Sequence, residues 1–241
     1  MKKIAKNWIY SLAVMGVFLM IISGCKKEDE RNDPTPTDET VTDIDGNVYH
    51  TVTIGTQVWM VENLKTTKFN DGTPIDLVTD DAAWLDLTTP GYCWYENEEA
   101  TYKNAYGALY NWYAVNTYKL APAGWHVPTD SEWSRLIHYL GGYAIAGDKM
   151  KSTGTMEAGT GLWHYPNRGA TNESGFSAVP AGGRFGDGAF GHGMSMGGWW
   201  SSTEGITGTT GNYYLSSECS GVNTMNWGRD CGFSVRCLRD F

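Results

Sequence analysis

Glycine and large aromatic residues crowd the second half of this chain, and that pairing limits the folds open to it. From Gly159 onward, glycine-rich stretches alternate with brief β-prone runs: Phe176–Val179, Trp199–Ser202, Tyr213–Leu215, Val222–Trp227 and Phe233–Leu238. The 241 residues include 30 Gly, 14 Tyr and 11 Trp against 8 Pro. Glycine supplies the positive φ of tight turns and the aromatics supply large anchors, so the pattern predicts short antiparallel strands and long loops, not a helical bundle. Apolar residues at 41% and charged ones at 19% exclude a chain disordered throughout. The balance of 18 basic to 27 acidic residues argues against partners held through phosphates, so no nucleic acid is expected.

The amino terminus reads as an address. Lys2, Lys3 and Lys6 precede an apolar stretch from Trp8 to Ile22. That stretch is short of the roughly 20 residues a membrane-spanning helix needs and fits the apolar region of an export signal, about 7–15 residues long. Ile22-Ser23-Gly24-Cys25 resembles a bacterial lipobox, which implies cleavage after Gly24 and lipidation of the Cys25 thiol. Lys26-Lys27-Glu28-Asp29-Glu30 is similar to the surface-export signal of Bacteroidetes lipoproteins. Lys26 to Thr42 is polar and rich in Pro and Thr, and reads as an extended tether. The expected organisation is a signal peptide over 1–24, a lipidated cysteine and tether over 25–42, and one domain over 43–241. The expected location is the outer membrane, reached through the lipid, with the domain facing the exterior.

Within the domain, Asp45-Gly46 between β-prone flanks predicts a hairpin, and Gly55-Thr56 separates two further strands, Val48–Ile54 and Gln57–Val61. Asn104 to Asn116 has a roughly helical period. Thr129-x-x-Glu132 is a capping box, followed by Trp133, Leu136, Ile137 and Leu140 on one apolar stripe and by the stop Gly141-Gly142. Ala144 to Lys151 adds a short helical turn. Strands, then helices, then strands predict an α+β domain whose two ends share a sheet.

Several phrases carry a family resemblance: Val58-Trp59-Met60-x-Glu62-Asn63-Leu64, Tyr106-Gly107-Ala108-Leu109-Tyr110-Asn111-Trp112, Gly124-Trp125-His126-Val127-Pro128-Thr129, Trp199-Trp200-Ser201-Ser202-Thr203-Glu204 and Gly232-Phe233-Ser234-Val235-Arg236-Cys237. Together they resemble the Fibrobacter succinogenes major paralogous domain of exported lipoproteins, over nearly all of Asp43 to Phe241. Val127-Pro128-Thr129-x-x-Glu132-Trp133 and the closing Gly-Phe-x-Val-Arg are also similar to C-type-lectin-like proteins that include sulfatase-modifying enzymes. That likeness implies two helices, a small sheet joining the termini and a long loop region carrying function. Cys93, Cys219, Cys231 and Cys237 permit three full pairings. The lectin-like resemblance of the closing segment implies Cys219–Cys231, which leaves Cys93–Cys237.

The chemical motifs are sparse. Gly186-Asp187-Gly188-Ala189-Phe190-Gly191 satisfies GxGxxG, but no helical pattern follows it, so it reads as a surface loop. The histidines form no HExxH, and His126 before the helix cap is expected to bond a backbone group. No Gly-x-Ser-x-Gly elbow and no CxxC are present. The lectin calcium loops are absent, since Trp227-Gly228-Arg229-Asp230 carries Gly where an Asn is required. No enzyme activity, cofactor or metal is therefore expected. What remains is the set of aromatic and polar residues in the glycine-rich region: Trp199, Trp200, Glu204, Asn212, Tyr214, Asn226, Trp227, Arg229 and Asp230. Aromatic faces stack on sugar rings while amides and carboxylates bond hydroxyls, so these predict a module that binds glycan or a surface protein. The alternative expectation is a structural subunit or cap of a surface assembly such as a fimbria-like tip.

Overall fold

A computed structural model describes residues 36–205 and 209–240. The signal peptide, the lipobox and Cys25 lie outside the described residues. The chain divides into two units, Met1–Arg31 and Asn32–Phe241, and the description concerns the second.

Three strands open it: β1 (Pro36–Thr42), β2 (Val48–Ile54) and β3 (Gln57–Met60). The hairpin between β1 and β2 forms at Asp45-Gly46, where Gly46 has φ +83°. Asp43 builds this turn: its carboxylate accepts from the Asp45 and Asn47 amides at 3.0 and 2.9 Å and from the Tyr49 hydroxyl at 2.6 Å. Asp45 is held at a pKa of about 2: burial raises it, and bonds from Thr67, Lys68 and Thr66 more than reverse that. β1 begins inside the stretch read as a tether, so the folded region starts earlier than Asp43.

The middle of the chain contributes β4 (Asp76–Leu77), α1 (Asp81–Leu85), β5 (Gly91–Cys93), α2 (Glu99–Tyr106), β6 (Leu109–Asn111), α3 (Trp112–Val115) and β7 (Trp125–His126). Then come α4 (Asp130–Tyr139), α5 (Ala146–Met150), β8 (Gly183–Arg184) and β9 (Phe190–Gly191). The last strands are β10 (Met196–Glu204), β11 (Thr209–Ser216), β12 (Asn223–Gly228), β13 (Gly232–Phe233) and β14 (Leu238–Arg239). They form a five-stranded sheet in the order β1-β2-β3-β14-β7, a six-stranded sheet β4-β5-β6-β13-β8-β9 and a three-stranded sheet β10-β11-β12.

The domain is therefore mostly β, which overturns the α+β, C-type-lectin-like expectation with two helices. The physical reason lies at Gly107. The helical period over Asn104–Asn116 is broken there: Gly107 has φ +77°, and a Cβ on it would come within 2.7 Å of Asn63. The residues after it leave the helix as β6, which pairs with β5 and β13, and only one turn of helix, α3, follows. Of the two expected helices only α4 stands as read. Thr129 and Glu132 make both bonds of the capping box, and Gly141 and Gly142 take φ +104° and +96° at its end. Phe176–Val179 forms no strand beyond a bridge from Ala178 to Lys151, and Phe233–Leu238 is divided between β13 and β14.

The two ends of the domain do share a sheet, with Leu238 opposite Trp59. Behind them the phrases around Asn63 and Arg236 interlock. The Met60 and Leu64 amides donate to the carbonyls of Cys237 and Val235 at 3.0 and 2.8 Å. Asn63 Oδ1 accepts from Arg236 Nη2 at 2.9 Å and from Trp199 Nε1 at 2.8 Å, and its amide nitrogen donates to the Tyr106 carbonyl at 2.8 Å. The residues of these phrases perform structural work here.

Candidate functional site

The three-stranded sheet sorts its side chains by the two-residue period of a strand. Trp199 pairs with Tyr213 and Gly197 with Leu215, so these residues share one face. That face packs on α4, where the Trp133 ring stacks on Tyr213 at 5.1 Å and lies 6.4 Å from Trp199. On the other face stand Met196 opposite Ser216, Tyr214 beside Gly198, and Met225 opposite Asn212. Trp227 follows Met225 by two positions and packs against Phe185 and Phe233 at 5.2 and 5.7 Å.

Met196, Tyr214, Met225 and Trp227 line a cleft of about 510 Å³. One wall is the loop bearing His164 and Tyr165, and the other is the turn Ser216–Glu218, with His192 and Ser195 completing the rim. The His164 ring lies 2.8 Å from Glu157 Oε1, and its amide donates to the Met194 carbonyl. The walls are tied to each other: the Arg168 amide donates to the Ser217 carbonyl at 2.7 Å and its Nε to the Glu218 carbonyl at 2.9 Å. The Ser217 amide in turn donates to the Ser195 carbonyl. Two of the hydroxyls are engaged with backbone, Ser195 Oγ donating to the His192 carbonyl and Ser216 Oγ accepting from the Glu218 amide. A concave surface with an aromatic and thioether floor and a polar rim results.

Of the nine residues expected to bind, Tyr214 and Trp227 meet in this cleft. Trp199, Trp200 and Asn212 are core residues, with the Trp200 indole donating to the Tyr110 carbonyl at 2.7 Å. Asn226 projects from the opposite face of β12 to Met225 and Trp227, because it falls between them. Glu204 pairs with Arg229, whose guanidinium lies 5.0 Å from the Trp112 ring. Arg229 and Asp230 line a separate, open depression with Leu85–Thr88 and Tyr113. Missing from the expected set are His164, Tyr165, His192, Ser195, Met196, Met225 and Ser216–Glu218. Alternation along β12 and β11 could have found Met225 and Ser216. The His164-Tyr165 loop carries no local signal.

The cysteines need correction. Neither Cys219–Cys231 nor Cys93–Cys237 is formed, and all four thiols are free. Cys93 is buried with Trp84, Tyr95 and Leu109, whereas Cys237 belongs to the cluster around Tyr49 and Tyr110, so the topology separates them. Cys219 is exposed after β11 while Cys231 is buried before β13. Burial pushes the Cys93 thiol up to about 12 and that of Cys231 to about 11. Native protein treated with a maleimide is expected to label at Cys219 within minutes while Cys93, Cys231 and Cys237 stay unlabelled until denaturant is added. Denatured, unreduced protein that lacks label at any pair of these cysteines would show a disulfide instead.

Elsewhere, Gly186–Ala189 lies in the turn between β8 and β9, with the Phe185 amide on the Ala189 carbonyl, and Phe190–Gly191 is β9 itself. His126 bonds two carboxylates, not backbone: Nδ1 lies 2.6 Å from Asp240 and Nε2 3.0 Å from Glu132. Among the described residues no three His, Cys, Asp or Glu side chains are grouped so as to hold a metal ion.

No curated protein and no solved structure matches the chain. The Fibrobacter succinogenes major domain does match, over residues 52–239, which takes in the six- and three-stranded sheets, the five-stranded sheet apart from β1 and the start of β2, and both walls of the cleft. The chain belongs to the Fibrobacter succinogenes major domain family.

Proposed function

We propose that this domain is a carbohydrate-binding module displayed at the cell surface by a lipid on Cys25, and that its ligand lies in the cleft over Tyr214, Met225 and Trp227. The observation that carries the reading is the lining itself: an aromatic and thioether floor beneath a rim of imidazoles, hydroxyls and the Glu218 carboxylate. The C–H faces of a pyranose ring stack on such a floor, and its hydroxyls find both donors and acceptors at such a rim. At about 510 Å³ the cleft has the capacity of a site for a short oligosaccharide segment. The leader and lipobox resemblance support surface display, since an anchored module gains from presenting a cleft to polysaccharide outside the cell.

The test is a glycan array probed with wild type and with Trp227→Ala. Wild type is expected to bind at least one class of neutral glycan, and the variant to bind it at least tenfold more weakly while keeping its far-UV circular dichroism. Wild-type silence across the array, or undiminished binding by the variant, would contradict the reading.

A further inference from the structure

One side chain touches both walls of the cleft from beneath. Lys151, directly after α5, is fully buried, and among the described residues no carboxylate hydrogen-bonds its ammonium group. Its three N–H donors go to three backbone carbonyls: Arg168 at 2.6 Å, Cys219 at 2.8 Å and Ser216 at 3.1 Å. Arg168 continues the wall that bears His164 and Tyr165, and Ser216 and Cys219 bracket the turn that forms the facing wall. The Trp163 ring lies 6.0 Å from the ammonium nitrogen.

Burying an ammonium is expensive unless every donor is satisfied, and a packing role would be served more cheaply by leucine or methionine. An ammonium has three donors and no acceptor, so it suits three converging carbonyls. It also imposes direction, because each bond fixes one segment of backbone relative to the other two. The lysine backbone is itself fixed: its amide donates to the Gly147 carbonyl, and the adjoining Ser152 amide to the Ala178 carbonyl, both at 3.0 Å. The restraint therefore runs from the core out to both rims.

We propose that Lys151 is the positioning residue of the cleft, its ammonium group serving as a built-in cation that holds the 164–168 wall and the 216–219 wall at their binding separation. This rests on the cleft being the sugar site, but its test does not depend on a sugar. Amide hydrogen exchange is compared between wild type and Lys151→Met in the full chain, purified in detergent. The Arg168 amide, which bonds across the walls, and the Ser217 amide, which ties the second wall to the Ser195 carbonyl, are expected to lose at least tenfold of their protection, while α4 amides keep theirs. Unchanged protection at Arg168 and Ser217, or an equal loss throughout α4, would overturn the proposal. If Lys151→Met does not fold, the wild-type lysine is read directly by nitrogen-15 NMR. Its ammonium protons are expected to exchange at least tenfold more slowly than those of the exposed Lys119, and equal exchange would overturn the proposal. Selective loss of wall protection supports the positioning role even where no array glycan binds; that second result contradicts only the sugar reading.

Discussion

Asn63→Leu is expected to lower the unfolding free energy by about 3–5 kcal/mol in urea titration, because several buried donors lose their acceptor at a cost of about 1–3 kcal/mol each. Leucine matches asparagine in size, so the loss is not one of volume. Arg236 is fully buried, and burial pulls its guanidinium below the ordinary arginine value. Its Nε and Nη2 both reach Asn63 Oδ1, its Nη1 donates to the Phe176 carbonyl, and its guanidinium lies 4.2 Å from the Phe176 ring. Removing the one amide leaves two guanidinium donors and the Trp199 indole with nothing to replace water, and frees the Tyr106 carbonyl. A loss below about 1 kcal/mol would show that the junction of the chain ends does not depend on this residue.

Trp133→Ala is expected to cost about 3–5 kcal/mol in the same titration, the range for deleting a buried Trp or Phe side chain. Trp133 lies at the centre of an aromatic cluster, 4.9 Å from Trp59, 6.0 Å from Phe176 and stacked on Tyr213. It joins α4 to the inner face of the sheet whose outer face floors the cleft. The substitution is therefore also expected to weaken glycan binding without touching the ligand, whereas Trp227→Ala weakens binding with a smaller loss of stability. Equal stability losses for the two variants would contradict this assignment of inner and outer faces.

Local signals in the sequence were reliable where a bond closes within a few residues. The Asp45-Gly46 hairpin and the Thr129–Glu132 capping box are satisfied by neighbours, so propensity and structure agree. The helix over Asn104–Asn116 was misread because its period is real, but Gly107 packs against Asn63, 44 positions earlier, and nothing local reports that contact. The same holds for the site. Aromatic content marked the segment that supplies the floor of the cleft, and Tyr214 and Trp227 follow from it. Trp199 and Trp200 are adjacent, point to opposite faces and are both covered, by α4 on one side and by Phe233 on the other, which only the tertiary arrangement decides. The expected cysteine pairings came from a lectin-like likeness, and they fail along with that fold.

Sugar recognition over the Tyr214–Trp227 floor is tested most directly by methyl NMR. Protein carrying carbon-13 at its methionine methyls is titrated with a panel of neutral oligosaccharides. Met196 and Met225 line the cleft, while Met60 and Met150 are buried in the core. Saturable shifts are expected at Met196 and Met225 with at least one oligosaccharide, and unmoved signals at Met60 and Met150. Saturable binding that leaves Met196 and Met225 unmoved, or no shift with any member of the panel, would contradict sugar recognition there.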